Sequence, residues 1–161
     1  MITKPSATIE VERKEFSLRF FHKKYDSENN KFYAVQIAAF TDKHELDKIK
    51  LGMFKTDLPC FITGSGMAPY SSGKYETLIF NNSGHHYIFY ENSDSKRVNL
   101  IKNKGTLLQL EFEINALYYN NKEVKMKNTN LNEFYLAFYI DKNLNGIIDI
   151  DELNKITVKL N

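Results

Sequence analysis

Short runs rich in aromatic and β-branched residues, each bounded by Asn, Gly, Ser or Asp, recur along nearly the whole chain. This spacing predicts many short β-strands rather than long helices. The expected strands cover residues 8–13, 16–22, 32–40, 75–80, 87–91, 98–101, 107–114, 123–127, 134–140 and 156–160. So many strands favour a mainly β fold, either two packed antiparallel sheets in a sandwich or a barrel. The alternative is an α+β domain whose C-terminal third is helical.

Two turns and one helix complete this prediction. Asn and Gly at residues 81–84 and the polar run at residues 26–30 each lie between two predicted strands, so each predicts a hairpin. The helix is expected over residues 42–50, with Asp42 as its N-cap and Glu45 three residues later.

Length and charge limit the possible partners. The chain has 161 residues, a net charge of +2 and one cysteine, which suits a single domain without internal disulfides. Nearly balanced charge argues against a nucleic-acid partner, because phosphate binding needs a concentrated basic face. The sequence contains no apolar run of about 18 residues, so we expect no membrane span. Nothing in it predicts an oligomeric state.

Residues 141–152 carry the most specific pattern in the chain. They read Asp-Lys-Asn-Leu-Asn-Gly-Ile-Ile-Asp-Ile-Asp-Glu, with oxygen-bearing side chains at loop positions 1, 3, 5, 9 and 12 and glycine at position 6. A hard cation such as Ca²⁺ takes about seven oxygen ligands, and a tightly coiled loop can point alternate side chains at one centre.

This pattern resembles the EF-hand-type calcium loop at each diagnostic position. The resemblance implies that Gly146 permits a sharp reversal and that Ile148 enters the core. It also implies a ligand set of side-chain oxygens and one backbone carbonyl, from Asp141, Asn143, Asn145, Ile147 (carbonyl), Asp149 (direct or through water) and Glu152 (both carboxylate oxygens).

The flanking residues indicate what the ion does. Residues 134–140 are uncharged and mostly aromatic or branched, which suits a buried strand better than an EF-hand helix. We therefore expect the order strand, loop, short turn, strand, which is similar to calcium loops set into bacterial extracellular β-domains. Sensor EF-hands work in pairs, so a single loop favours a structural ion over a switch.

The ligand charges also suggest where such a site would be filled. Asn143 and Asn145 replace carboxylates, so we expect an affinity of about 10⁻⁵ to 10⁻³ M. This range favours a periplasmic or extracellular setting.

Catalytic patterns are weak, and we expect no enzymatic activity. His85 and His86 would point to opposite faces of one strand. Cys60, between Pro59 and Phe61, fits a buried side chain better than a nucleophile. Ser65 lacks the first glycine of a Gly-x-Ser-x-Gly turn, since Thr63 stands in its place.

The glycine-rich segment 64–75 is the expected contact surface for a protein or carbohydrate partner. Flexible glycines and serines beside tyrosines give adaptable hydrogen bonding with rigid anchors, and the residues concerned are Ser65, Tyr70, Ser72 and Tyr75. Residues 72–75, Ser-Gly-Lys-Tyr, faintly resemble the Ser-Gly-x-Tyr loop of some periplasmic lysozyme inhibitors. The leading hypothesis is thus a non-enzymatic calcium-binding β-domain that serves as a binding or interaction module. The alternative is an inhibitor or immunity-type protein that blocks an enzyme through this segment.

Overall fold

The computed structural model describes residues 5–23, 35–61, 77–78, 87–88, 98–119 and 122–161. Strands dominate these ranges, and the one α-helix among them is α1 (Lys43–Asp47). The strands are β1 (Ser6–Val11), β2 (Phe16–Lys23), β3 (Val35–Phe40), β4 (Thr77–Leu78), β5 (Tyr87–Ile88), β6 (Val98–Lys104), β7 (Leu107–Ile114), β8 (Ala116–Tyr119), β9 (Lys122–Lys125), β10 (Glu133–Ile140) and β11 (Leu153–Leu160). The predicted mainly β class is confirmed, with open, sandwich-like sheets. The α+β alternative is wrong, since the described C-terminal third contains strands β7 to β11 and no α-helix.

The largest sheet has the order β1-β11-β10-β3-β4, and β5 also pairs with β3. Neighbours in this sheet are antiparallel except for β1 and β11, which run parallel from the Ser6–Lys155 pair to the Val11–Leu160 pair. The expectation of a wholly antiparallel sheet is therefore wrong at this edge. The two strands lie at opposite ends of the described sequence, so no short turn dictates their relative direction.

A second sheet has the order β2-β7-β6, and β8 and β9 form a separate antiparallel pair. The strands on either side of the predicted 26–30 turn, β2 and β3, lie in different sheets, so the predicted hairpin pairing is wrong. The turn residues themselves, like those at 81–84, lie outside the described residues. Strand β8 was not expected from the sequence.

Strand β10 is buried on both faces. Phe134, Leu136 and Phe138 enter the core between the two main sheets, where Phe20 of β2 meets Phe138 edge-on with ring centroids 4.8 Å apart. The opposite face, including Tyr139, enters a second core that covers the other side of the sheet. Burial on two faces explains why residues 134–140 carry no charge.

Helix α1 lies beside this second core. The Oδ1 atom of Asp42 accepts a hydrogen bond from the backbone N–H of His44 at 2.8 Å, which confirms the predicted N-cap. Leu46 is buried, but the helix ends earlier than expected, and the chain turns at Gly52 with a φ of +82°. The following extended residues reach the 141–152 loop. None of the described helices is long and apolar enough to cross a membrane.

Candidate metal centre

Residues 141–152 connect the central strand β10 to β11, so the predicted strand–loop–strand arrangement is correct. The backbone N–H of Ile140 donates to the carbonyl of Glu152 at 3.0 Å and closes the base of the loop. Strand β11 begins at Leu153, so the short turn expected after Glu152 is replaced by strand. Asp141 directly follows β10 and Glu152 directly precedes β11, so the first and last predicted ligands lie at the two ends of the loop.

The loop is coiled by its own polar residues. Gly146 has a φ of +74°, as a sharp reversal requires, and Leu144 also has a positive φ of +61°. The side-chain oxygen of Asn143 accepts from the N–H of Asn145 at 3.1 Å, and that of Asn145 accepts from the N–H of Ile147 at 2.7 Å. These two Asx turns shape the backbone at the predicted ligand positions.

Two carboxylates at the base of the loop are buried. Asp141 and Glu152 each retain 3% of their accessible surface. Glu152 is well satisfied, because its Oε1 accepts from the N–H of Lys142 at 2.6 Å and its Oε2 lies 3.3 Å from the N–H of Asp149. Asp141 is not: its Oδ2 accepts from the N–H of Gly146 at 3.0 Å, but its Oδ1 is buried without a hydrogen-bond partner. A buried carboxylate oxygen without a partner is costly, so this atom marks a position suited to a cation.

The remaining predicted ligands contact one another or the core. The Oδ2 atom of Asp149 accepts from the side-chain amides of Asn143 and Asn145, at 2.8 and 3.0 Å. The carbonyl of Ile147 accepts from the hydroxyl of Tyr139 at 3.2 Å. All six predicted residues thus belong to one hydrogen-bonded loop, and the atoms that they offer to a metal ion are oxygens. Ile148, which was expected to enter the core, is fully buried.

A distant segment pairs with this loop, although no local pattern of residues indicated the contact. The N–H of Ile148 donates to the carbonyl of Met53, and the N–H of Gly52 donates to the carbonyl of Ile148, both at 2.9 Å. The N–H of Lys55 donates to the carbonyl of Gly146, also at 2.9 Å. Residues 52–55 therefore pair with the loop through backbone hydrogen bonds and one isolated β-bridge, between Phe54 and Ile147.

Lys55 also contributes a charge. Its Nζ atom lies 3.2 Å from Oδ2 of Asp141, with 25% of the lysine side chain and 5% of the aspartate side chain exposed. Among the ion pairs of the described residues, the pair of Lys55 with Asp141 is the one that involves a carboxylate of the loop. The lysine lies 86 residues from its partner, so no local spacing could have revealed the contact.

The donor chemistry fits a hard cation better than a transition metal. Within the described ranges, no three Asp, Glu, His or Cys side chains come close enough to hold a metal by themselves. The predicted ligand set of the loop combines amide and backbone oxygens with carboxylates. Such a mixed oxygen set is typical of Ca²⁺.

A cavity of about 690 Å³ lies beside the base of the loop. Leu18 and Phe20 of β2 and Ile140 of β10 contribute to its apolar lining, and Lys142 and Glu152 contribute polar lining. The base of the loop therefore forms part of the cavity wall.

The other candidate residues divide into two groups. Cys60 is buried, as expected, and burial raises the pKa of its thiol to about 12, which makes it a poor nucleophile at neutral pH. The proposed contact residues Ser65, Tyr70, Ser72 and Tyr75 lie outside the described residues, as do His85 and His86.

Fold and loop together define a mainly β domain with a candidate oxygen-donor cation site. A comparison of the chain with known protein families, with curated proteins and with solved structures finds no match.

Proposed function

We propose that this chain is a non-enzymatic β-domain that binds one Ca²⁺ ion in the 141–152 loop and uses it structurally. The observation that carries the proposal is the buried, unpartnered Oδ1 of Asp141 in a loop whose other end is the buried Glu152. A cation with oxygen ligands would compensate this atom, and Ca²⁺ is the ion that the donor set favours.

The ion would be held by the predicted ligand residues of the loop. These are Asp141, Asn143, Asn145, the carbonyl of Ile147, Asp149 and Glu152. Three of these residues are carboxylates with a formal charge of −3, which the +2 of the ion would partly neutralise. Because the Asn side chains and the Ile147 carbonyl already hold the loop through hydrogen bonds, these residues would limit its freedom before the ion binds.

A structural role follows from the position of the loop. It joins the central strand to β11, and Ile148 already pairs with Met53 of the same chain. An ion here would fasten strands β10 and β11 to residues 52–55. We propose that the domain is a binding or interaction module with a protein or carbohydrate partner. The inhibitor alternative depends on segment 64–75, which lies outside the described residues.

Calcium titration of a matched pair of variants tests the proposal. Glu152→Gln removes a buried carboxylate charge, and Asp151→Asn removes the charge of an exposed neighbour in the same loop. The wild-type protein and Asp151→Asn should bind CaCl2 by calorimetry, with a Kd of about 10⁻⁵ to 10⁻³ M. Their melting temperatures should rise with calcium, because a ligand at 100 times its Kd stabilises the native state by about 2.7 kcal/mol.

Glu152→Gln should lose most of this calcium-dependent rise. The proposal fails if the wild-type protein shows no heat of binding and no shift in melting temperature at millimolar calcium. Retention of the full wild-type shift by Glu152→Gln would contradict the assigned ligands.

A further inference from the structure

We infer that Lys55 is a built-in competitor of the cation, so that its ammonium group sets the calcium affinity of the loop. This inference rests on the proposed function. Its basis is the contact of 3.2 Å between Nζ of Lys55 and Oδ2 of Asp141, the carboxylate at the first ligand position. The aspartate side chain is nearly fully buried, so its charge is poorly screened by water.

The position of Lys55 is fixed by the backbone. Its N–H donates to the carbonyl of Gly146, and the preceding residue, Phe54, forms a β-bridge with Ile147. The aliphatic stem also passes close to the loop, since a Cβ placed on Gly146 would lie 3.9 Å from Cε of Lys55. The ammonium group therefore reaches Asp141 from a segment that is hydrogen-bonded to the same loop.

Cation and ammonium would compete for one carboxylate. A Ca²⁺ ion bound to Asp141 places two positive charges within a few ångströms of the Nζ atom, and like charges at this distance repel strongly where water is scarce. The lysine must withdraw as the ion enters, which its partly exposed side chain permits. Calcium affinity is therefore reduced by the free energy of the ion pair that is lost.

The same ion pair stabilises the loop without calcium. Removing the Lys55 ammonium leaves the buried carboxylate of Asp141 without a positive partner, and an uncompensated buried charge is destabilising. A neutral residue at position 55 should therefore act in opposite directions on the two forms of the protein. It should lower the melting temperature in chelator and raise the affinity for calcium.

Four variants of the full chain test this coupling by calcium calorimetry and by melting in EDTA. Lys55→Met and Lys55→Gln remove the charge, Lys55→Arg keeps it, and Lys50→Met makes the same change in net charge at an exposed residue of the preceding segment. We expect both neutral variants at position 55 to bind calcium at least about fivefold more tightly than the wild type, as an ordinary coupling free energy predicts. Lys55→Arg and Lys50→Met should stay within about twofold of the wild type.

A second background makes the test independent of calcium. In Asp141→Asn, the change Lys55→Met should no longer lower the melting temperature in EDTA, because the pair is already broken. Equal calcium affinity in Lys55→Met, Lys55→Gln and the wild type would overturn the inference and leave the proposed function intact. Failure of the wild type to bind calcium would overturn both.

Discussion

The hydroxyl of Tyr139 donates a hydrogen bond to the carbonyl of Ile147 at 3.2 Å. Tyr139 is fully buried in the central strand, where its ring lies 5.5 Å from that of Phe61 between centroids. A core side chain thus positions the one backbone carbonyl predicted to bind the ion. The bond does not exclude that role, since a carbonyl oxygen has two lone pairs.

Replacing Tyr139 by Phe should lower the free energy of unfolding by about 0.5 to 1.5 kcal/mol, the usual net value of a lost hydrogen bond. Urea denaturation in EDTA measures this change in the free energy of unfolding. Tyr135→Phe is the matched control, because the hydroxyl of Tyr135 donates to Glu133, which is exposed. Tyr135→Phe should lower the free energy of unfolding less than Tyr139→Phe does. A larger loss in Tyr135→Phe would show that the hydrogen bond to Ile147 is not stabilising.

Gly146→Ala should destabilise the protein by about 1 kcal/mol, because an L-residue is disfavoured at its φ of +74°. Contact contributes little, since the nearest atom to an added Cβ would be 3.9 Å away. Gly105, with a φ of +75° and open space around it, provides the control. Urea denaturation should give similar losses for Gly105→Ala and Gly146→Ala, whereas a much larger loss at Gly146 would indicate a packing role.

Truncation of the central strand should be far more costly than truncation on the loop. Leu136 is fully buried, so Leu136→Ala should lower the free energy of unfolding by about 2 to 5 kcal/mol through lost burial and a cavity. Ile150 is 69% exposed, so Ile150→Ala should change the free energy of unfolding by less than about 0.5 kcal/mol. Chemical denaturation compares the two, and a similar loss in both would contradict the buried position of β10.

Stability should fall at alkaline pH. Burial raises the pKa of the Cys60 thiol from 9.0 to about 12, so the native state favours the protonated form. The resulting stabilisation is complete below about pH 9 and is lost as the pH rises towards about 12. Cys60→Ala should show a shallower decline over this interval, measured by urea denaturation at several pH values.

Part of that decline should remain in Cys60→Ala. The pKa of Tyr135 is also raised to about 12, mainly because its hydroxyl donates a hydrogen bond to the Glu133 carboxylate. Loss of the Tyr135 proton should therefore also lower stability as the pH rises. An unchanged slope in Cys60→Ala would show that the thiol is not protected by burial. Iodoacetamide gives an independent check, since alkylation of Cys60 at pH 8 should be slow until the protein unfolds.

Local features of the sequence predicted local structure well. The uncharged run at residues 134–140 predicted β10 almost to its ends, and the spacing of Gly146 and Ile148 agrees with a positive φ and a buried side chain. Both depend on neighbouring residues and on alternation along one strand. The calcium ligands themselves remain a prediction.

Features that depend on distant contacts were not predictable in this way. The polar run at residues 26–30 indicated a reversal, but it carries no information on which strands then pair, so the β2–β3 hairpin was wrong. The hydrogen bond between Met53 and Ile148 and the ion pair of Lys55 with Asp141 join segments more than 80 residues apart. Their partners are selected by the packing of the second core against β10, which the spacing of residues within either segment does not encode.

The parallel pairing of β1 with β11 has a mechanical consequence. Tension applied outward from Ser6 and from Leu160 would slide the two strands past each other, because Ser6 pairs with Lys155 and Leu160 pairs with Val11. The load would then be shared by the hydrogen bonds between the strands at once, whereas an antiparallel pair pulled from adjacent ends opens one bond at a time. Pulled in this direction, the β1–β11 edge would therefore resist stretching more than an antiparallel pair opened from adjacent ends.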